Sequence, residues 1–236
     1  HMSSHALASL FGAAAASASA AKLTAKQMRW VIDYTAQQAS GTKVWQRDVD
    51  HTQKAFVFAG VGARGGVMAT ELVRVGATGV DDALSGVDNF FSVYGPRADQ
   101  AKLVDRLGVR YEVTRTNIKK WTVGSPIQAP LDAIELMLKK RPFNASQVRD
   151  VTIRVATSEG ALVNNREMPD ICMQHMVAVM LIDKTASFRA AHDKPRMDDP
   201  AVRQVRATVK LVPDADLEKL MPRRIADVTV TLADGT

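Results

Sequence analysis

Apolar and polar residues alternate almost strictly over Val148–Ala156 (Val-Arg-Asp-Val-Thr-Ile-Arg-Val-Ala), the period-two pattern of a strand with one buried face. The same alternation predicts strands over residues 110–121, 203–211 and 225–232. Between them, residues 126–140 place apolar side chains at helical spacing, and residues 171–183 are apolar nearly all round, as a buried helix would be. A small sheet covered by helices is the natural packing for these elements, an α+β domain over residues 97–236.

The first part of the chain has a different texture. Residues 9–21 are rich in small side chains, which suits close helix packing. Residues 24–38 open with a capping signal, Thr24-Ala-Lys-Gln27, and carry Met28, Val31, Ile32 and Tyr34 at near-helical spacing. Residues 39–50 are polar and read as a loop. Residues 51–75 form the longest helical candidate, although Gly60, Gly62, Gly65 and Gly66 each cost roughly 1 kcal/mol relative to alanine. Close packing on another helix, close approach of a ligand, or a kink would each account for them. An aromatic patch at residues 89–94 is expected to seal this region. The reading is therefore a partial all-helical domain over residues 3–96, followed by the α+β domain, with the boundary near residues 96–100.

Composition narrows the function classes. At 236 residues and 46% hydrophobic, the chain can bury a sizeable core. No apolar run is read as long enough to span a bilayer, no secretory leader is evident, and His1-Met2 reads as a cloning remnant. One cysteine, Cys172, excludes an internal disulfide framework and a cysteine-rich zinc site, and fits a cytoplasmic location. The +6 charge admits nucleic acid or anionic small molecules. Scattered basic residues, 6% aromatics and no recognisable nucleic-acid module favour an enzyme that attracts acidic metabolites.

The candidate chemistry gathers at residues 117–132, Asn-Ile-Lys-Lys-Trp-Thr-Val-Gly-Ser-Pro-Ile-Gln-Ala-Pro-Leu-Asp. Lys119, Lys120 and Trp121 end the expected strand, Ser125 is a natural N-cap, and Pro126 suits the first helical position. Lysines beside the positive end of a helix make a place for a small carboxylate. The competing reading is a solvated strand end before an ordinary capped helix. The five histidines show no metal-ligand spacing, so no metal is expected. The glycines at 60–66 follow no strand and make no dinucleotide fingerprint.

Several of these stretches carry a resemblance. Lys54-Ala-Phe-Val-Phe-Ala-Gly-Val-Gly-Ala-Arg-Gly-Gly66, Gly79-Val-Asp-Asp-Ala-Leu-Ser-Gly86, Asn89-Phe-Phe-Ser-Val-Tyr-Gly95, Ile118-Lys-Lys-Trp121 and Met176-Val-Ala-Val-Met-Leu-Ile-Asp183 are similar, in that order, to the MmgE/PrpD family. That family includes 2-methylcitrate dehydratase, cis-aconitate decarboxylase and iminodisuccinate epimerase. The resemblance implies a cofactor-free enzyme acting on small di- or tricarboxylic acids. It also implies an all-helical domain with a smaller α+β lid, an active site in the cleft between them, and a homodimer.

Residue by residue, Lys54 matches a family lysine on a helix facing the cleft, and Lys119 the lysine after the first lid strand. Both would hold substrate carboxylates. Arg64 would add a fork to a carboxylate or serve a structural ion pair, and Ser125 is grouped with the substrate-binding set. His175 stands where the family often has tyrosine, ahead of the buried lid helix. It would either exchange a proton or simply be a helix histidine satisfied by packing and hydrogen bonds. His5 matches the family's catalytic histidine without its usual Gly-x-His-Pro context, or is only a terminal residue. His51 and His192 have no assignable role.

The family's opening helices, with an aspartate-rich segment, and its closing helices have no counterpart here, so the chain is expected to be a fragment. The expected chemistry is proton abstraction next to a carboxylate. Loss of a β-hydroxyl then gives dehydration, and reprotonation on the other face gives epimerisation. A non-catalytic fragment that needs a partner chain is the third reading.

Overall fold

The computed structural model describes residues 5–48 and 52–236, so His51, the expected start of the long helix, lies outside the described residues. The chain divides into two compact units, His1–Glu112 and Val113–Thr236. The first is helical and the second is α+β, as the hydrophobic pattern predicts.

In the first unit, α1 (His5–Ala20) and α2 (Ala25–Gln37) are followed by a 3-10 turn (Lys43–Arg47) inside the expected loop. Thr24 caps α2 as its sequence signals. Thr24 Oγ1 accepts from Gln27 N at 3.3 Å, and the Gln27 side chain accepts from Thr24 N at 2.9 Å. The long helix is continuous over Thr52–Arg74 but not uniform. α3 (Thr52–Ala55) passes through a π turn (Phe56–Gly60) into α4 (Val61–Arg74). A short α5 (Phe90–Tyr94) occupies the aromatic patch, capped by Asn89 Oδ1 on Phe91 N and Ser92 N.

Of the three reasons for the glycines, close packing holds at Gly62, Gly65 and Gly66, which are buried. A Cβ on Gly66 would lie 2.6 Å from Leu10 O, and one on Gly62 would lie 3.0 Å from both Ala6 O and Leu10 N. The obstacles are α1 backbone, which cannot swing aside. Ala14, Ala18, Val31, Ala69 and Val73 make the small core beneath, and Ser17 Oγ meets Thr70 Oγ1 at 2.6 Å across the helix pair.

Gly66→Ala is therefore expected to destabilise the unit by about 1–3 kcal/mol, despite a gain of about 1 kcal/mol in helix propensity. Gly60→Ala, whose added Cβ would meet only the Phe56 ring at 3.7 Å, is expected to be tolerated. Denaturant melts of the two variants check the pair, and equal midpoints would contradict the account.

One expectation needs correction here. Thr52–Arg74 is 23 residues long with a mean hydropathy of 1.3 over its most apolar stretch, which by length and composition suffices to cross a membrane. Its glycine face is committed to α1, while Arg64, Glu71 and Arg74 lie on the exposed side. The apolar residues Phe56, Val67, Met68 and Val75 share that exposed side.

In the second unit, a 3-10 turn (Ser125–Ile127) leads into α6 (Gln128–Lys140), and β1 (Val148–Ala156) is the central strand of a three-stranded sheet. α7 (Thr157–Val163), α8 (Met173–Asp183), α9 (Phe188–His192) and α10 (Pro200–Ala207) lead to β2 (Val209–Asp214). β2 lies parallel to β1, with Val151 opposite Val209. After α11 (Ala215–Glu218), β3 (Ala226–Leu232) pairs antiparallel on the other side, with Ile153 opposite Val228. The inward residues of β1 (Val151, Ile153 and Val155) pack with Ile127, Leu131 and Ile134 and with α8, which is buried from Met173 to Leu181.

Two expected strands are not formed as read. Residues 110–121 hold a 3-10 turn (Glu112–Arg115) and irregular chain. Alternation alone does not make a strand, and here Val113 and Ile118 are 79% and 96% exposed and pair with none of the three strands of the sheet. Residues 203–211 split between α10 and β2. Asp199 Oδ1 caps Ala201 N and Val202 N at 2.8 and 3.2 Å, and Pro200 pre-sets the first helical turn. The helix therefore runs to Ala207, and the strand starts at Val209.

Candidate active site

In the helical unit, the π turn sets the geometry. Such a turn widens the helix by one residue and commonly marks functional positions. Here Lys54 precedes it and Phe58 lies within it. The Phe58 ring stacks on the His5 imidazole, with centroids 4.2 Å apart and planes 9° apart. Trp45, from the 3-10 turn, stands edge-on to both. The Lys54 ammonium lies 5.5 Å from the Phe58 centroid and 5.9 Å from that of Trp45. His5 and Lys54, far apart in sequence, thus meet on one aromatic cluster.

Cover by these rings pushes the His5 pKa below the ordinary 6.5, and the positive charges of Lys54 and Lys43 push it further the same way. The residue as a whole remains exposed, while its ring is partly covered by the stack. The imidazole is accordingly neutral at neutral pH, which is the form that accepts a proton.

Arg64 lies one turn beyond the π segment, exposed, and lines a cavity of about 180 Å³ with Ala6, Gln38, Ser40 and Val61. Gln38 Nε2 donates to Gly65 O at 3.1 Å and ties the end of α2 to this stretch.

The lysine-bearing turn belongs to the second unit, and its helix start differs from the expectation. Ser125 does not cap a helix. It is the first residue of the 3-10 turn, whose N-cap is Gly124, and α6 begins after Ile127 with no side-chain cap. The Pro126 ring favours the tight turn that takes up the expected capping position. Ser125 is half-buried.

Lys119 Nζ donates to Val123 O at 3.0 Å, using one of its three donors within the turn. Lys120 Nζ is held by Glu135 at 2.6 Å and Asp132 at 3.3 Å, and Trp121 Nε1 donates to Asp132 Oδ1 at 3.0 Å. Of the two lysines, Lys120 is thus taken up by an ion pair.

His175 is the third residue of α8, inside the buried helix rather than ahead of it, and is fully buried. Neither Nδ1 nor Nε2 has a hydrogen-bond partner among the described residues. Burial, reinforced by Arg206 and Arg196 and weakly opposed by Asp193, pulls its pKa down to about 4. Packing satisfies this histidine, but hydrogen bonds do not. Cys172 beside it is fully buried, and burial pushes its thiol pKa up, as suits an inert side chain.

Sequence reasoning missed Trp45, Phe58 and Lys43. Phe58 was legible as the residue four after Lys54. Trp45, the single aromatic in a polar stretch, was the other available signal. Among the described residues, no group of three or more His, Cys, Asp or Glu is placed to hold a metal ion.

No curated protein matches the chain. Residues 1–102 match the family model of the MmgE/PrpD N-terminal domain, and residues 121–236 match that of the MmgE/PrpD C-terminal domain. With both domains matched in order over nearly the whole length, the chain belongs to the MmgE/PrpD family.

Proposed function

We propose that the protein is a dehydratase-like lyase acting on a small di- or tricarboxylic acid, with His5 as the base and Lys54 as a holder of a substrate carboxylate. The family includes dehydratases, which supports the reaction class. The observation that carries the assignment of residues is the juxtaposition of a neutral imidazole and a lysine ammonium on the Phe58–Trp45 cluster.

In this reading, His5 removes a proton from the carbon next to a carboxylate. The electron pair passes into the carboxylate, whose growing charge is met by Lys54 and Lys43. Collapse of this enolate-like species forms the carbon–carbon double bond and expels the β-hydroxyl, which takes the proton held by His5 and leaves as water, so that the imidazole returns to its neutral form. Arg64, in the same unit, is assigned to a further carboxylate by its forked geometry.

Epimerisation asks for proton transfer on both faces of the carbon. Both nitrogens of His175 are buried without partners among the described residues, so it is not assigned the second transfer.

The test is product analysis after incubation with 2-methylcitrate, citrate and iminodisuccinate. An unsaturated product from a hydroxy acid supports the lyase reading. Stereochemical inversion without loss of water would replace it with the isomerase, and no turnover of any acid would count against the substrate class.

A further inference from the structure

Trp45 has no part in the chemistry above, yet its ring contacts His5, Phe58 and Lys54. Its ring stands at 84° to Phe58 with centroids 4.8 Å apart, and at 81° to His5 at 5.9 Å. Since Phe58 and His5 are nearly parallel to each other, the indole closes the side of their stack, the edge-to-face arrangement that aromatic quadrupoles favour. The same ring carries the Lys54 ammonium 5.9 Å from its centroid, inside the range of a cation–π contact.

The turn that bears Trp45 is itself anchored. Asp48 Oδ2 accepts from Gln53 N at 2.7 Å, one residue before Lys54, so the turn and the start of the long helix are tied together. The described contacts of the His5 ring are those of the stack, with Phe58 and Trp45. The orientation of the ring therefore depends on the stack.

We propose that Trp45 is a positioning residue, whose indole fixes the separation of the His5 base and the Lys54 charge before a carboxylate substrate arrives. The proposal rests on the reading of His5 and Lys54 given above. It explains why a large aromatic stands in an otherwise polar connection, on the same turn as Lys43. Among the described residues, the charged groups around His5 are Lys54 from α3 and Lys43 from that turn, with Asp48 engaged at Gln53 and Arg64 exposed on α4. Withdrawing the indole uncovers the imidazole and frees Lys54 from one of its two aromatic supports.

The experiment compares Trp45→Ala and Trp45→Phe in the full chain by NMR titration of the His5 ring, together with kcat and KM for turnover of the acid identified above. Trp45→Ala is expected to raise the His5 titration midpoint toward its ordinary value. It should lower kcat about tenfold with KM changed less than about threefold, as expected for misplacement of a base. Trp45→Phe is expected to recover most of both.

An unchanged midpoint and kcat in Trp45→Ala would overturn the proposal. Equal losses in both variants, with a collapsed Tm, would overturn it in favour of a purely structural role. Full turnover by His5→Gln would instead sink the parent reading, while a shifted His5 midpoint in Trp45→Ala would still stand as the positional effect.

Discussion

His5→Gln is expected to slow turnover of the carboxylic acid substrate by about 10²–10⁴-fold, the usual contribution of a positioned general base. Glutamine keeps a polar side chain of similar reach but cannot accept the proton, so the loss should fall on kcat rather than KM. Lys54→Gln removes a charge that meets the carboxylate in both ground and transition states. It is expected to cost about 10–100-fold in kcat/KM, following the value of a charged hydrogen bond.

The pH profile adds a signature. Because aromatic cover, Lys54 and Lys43 all depress the His5 pKa, the acid limb of kcat/KM should lie below 6.5. A limb at or above that value, or full activity in His5→Gln, would remove His5 from the mechanism.

The second large effect concerns stability. His175 has an ordinary pKa of 6.5 when unfolded and about 4 in the fold. Between these values the unfolded chain binds the proton and the folded chain does not, so folding loses stability as pH falls. The contribution is fully present above 6.5, declines between 6.5 and about 4, and is exhausted below, a total of about 3 kcal/mol at 1.36 kcal/mol per unit.

His175→Leu should abolish this dependence. It should also raise stability at neutral pH by about 1–3 kcal/mol, because two buried nitrogens without partners are replaced by carbon. Amide exchange of α8, compared in the two proteins from pH 4 to 7, reads the effect locally. Parallel pH dependences would contradict the assignment of this effect to His175.

How much of this was legible in the sequence differs between the two units. β1 was readable because its alternation is strict and its inward side chains meet a sheet partner on each side. α8 was readable because it is apolar on every face and buried on every face. The α2 start was readable because a capping box is a local device. By contrast, residues 110–121 alternate equally well yet form no strand, because pairing is decided by neighbours that the pattern does not name. At 203–211, the Asp199-Pro200 cap was the overlooked local signal.

At the site, Lys54 and His5 were identifiable as candidates, but their meeting was not. It depends on a π turn, which leaves no signature in periodicity, and on packing of α1 against the glycine face of α4. Lys119 and Lys120 looked alike in sequence. Only the placement of Asp132 and Glu135 on α6 shows that Lys120 is engaged. Ser125 failed as a cap because it lies inside a 3-10 turn, with Gly124 as its N-cap, that precedes the helix proper.

The central claim is that His5 and Lys54 act together on the carbon next to a carboxylate. Its most direct test is NMR detection of substrate proton exchange in deuterated water, run with the wild-type chain, His5→Gln and Lys54→Gln on the same acids. The account predicts exchange of the carbon-bound hydrogen by the wild type, its near-abolition in His5→Gln, and recovery of much of the Lys54→Gln loss at saturating substrate. Exchange that persists in His5→Gln at the wild-type rate would contradict it.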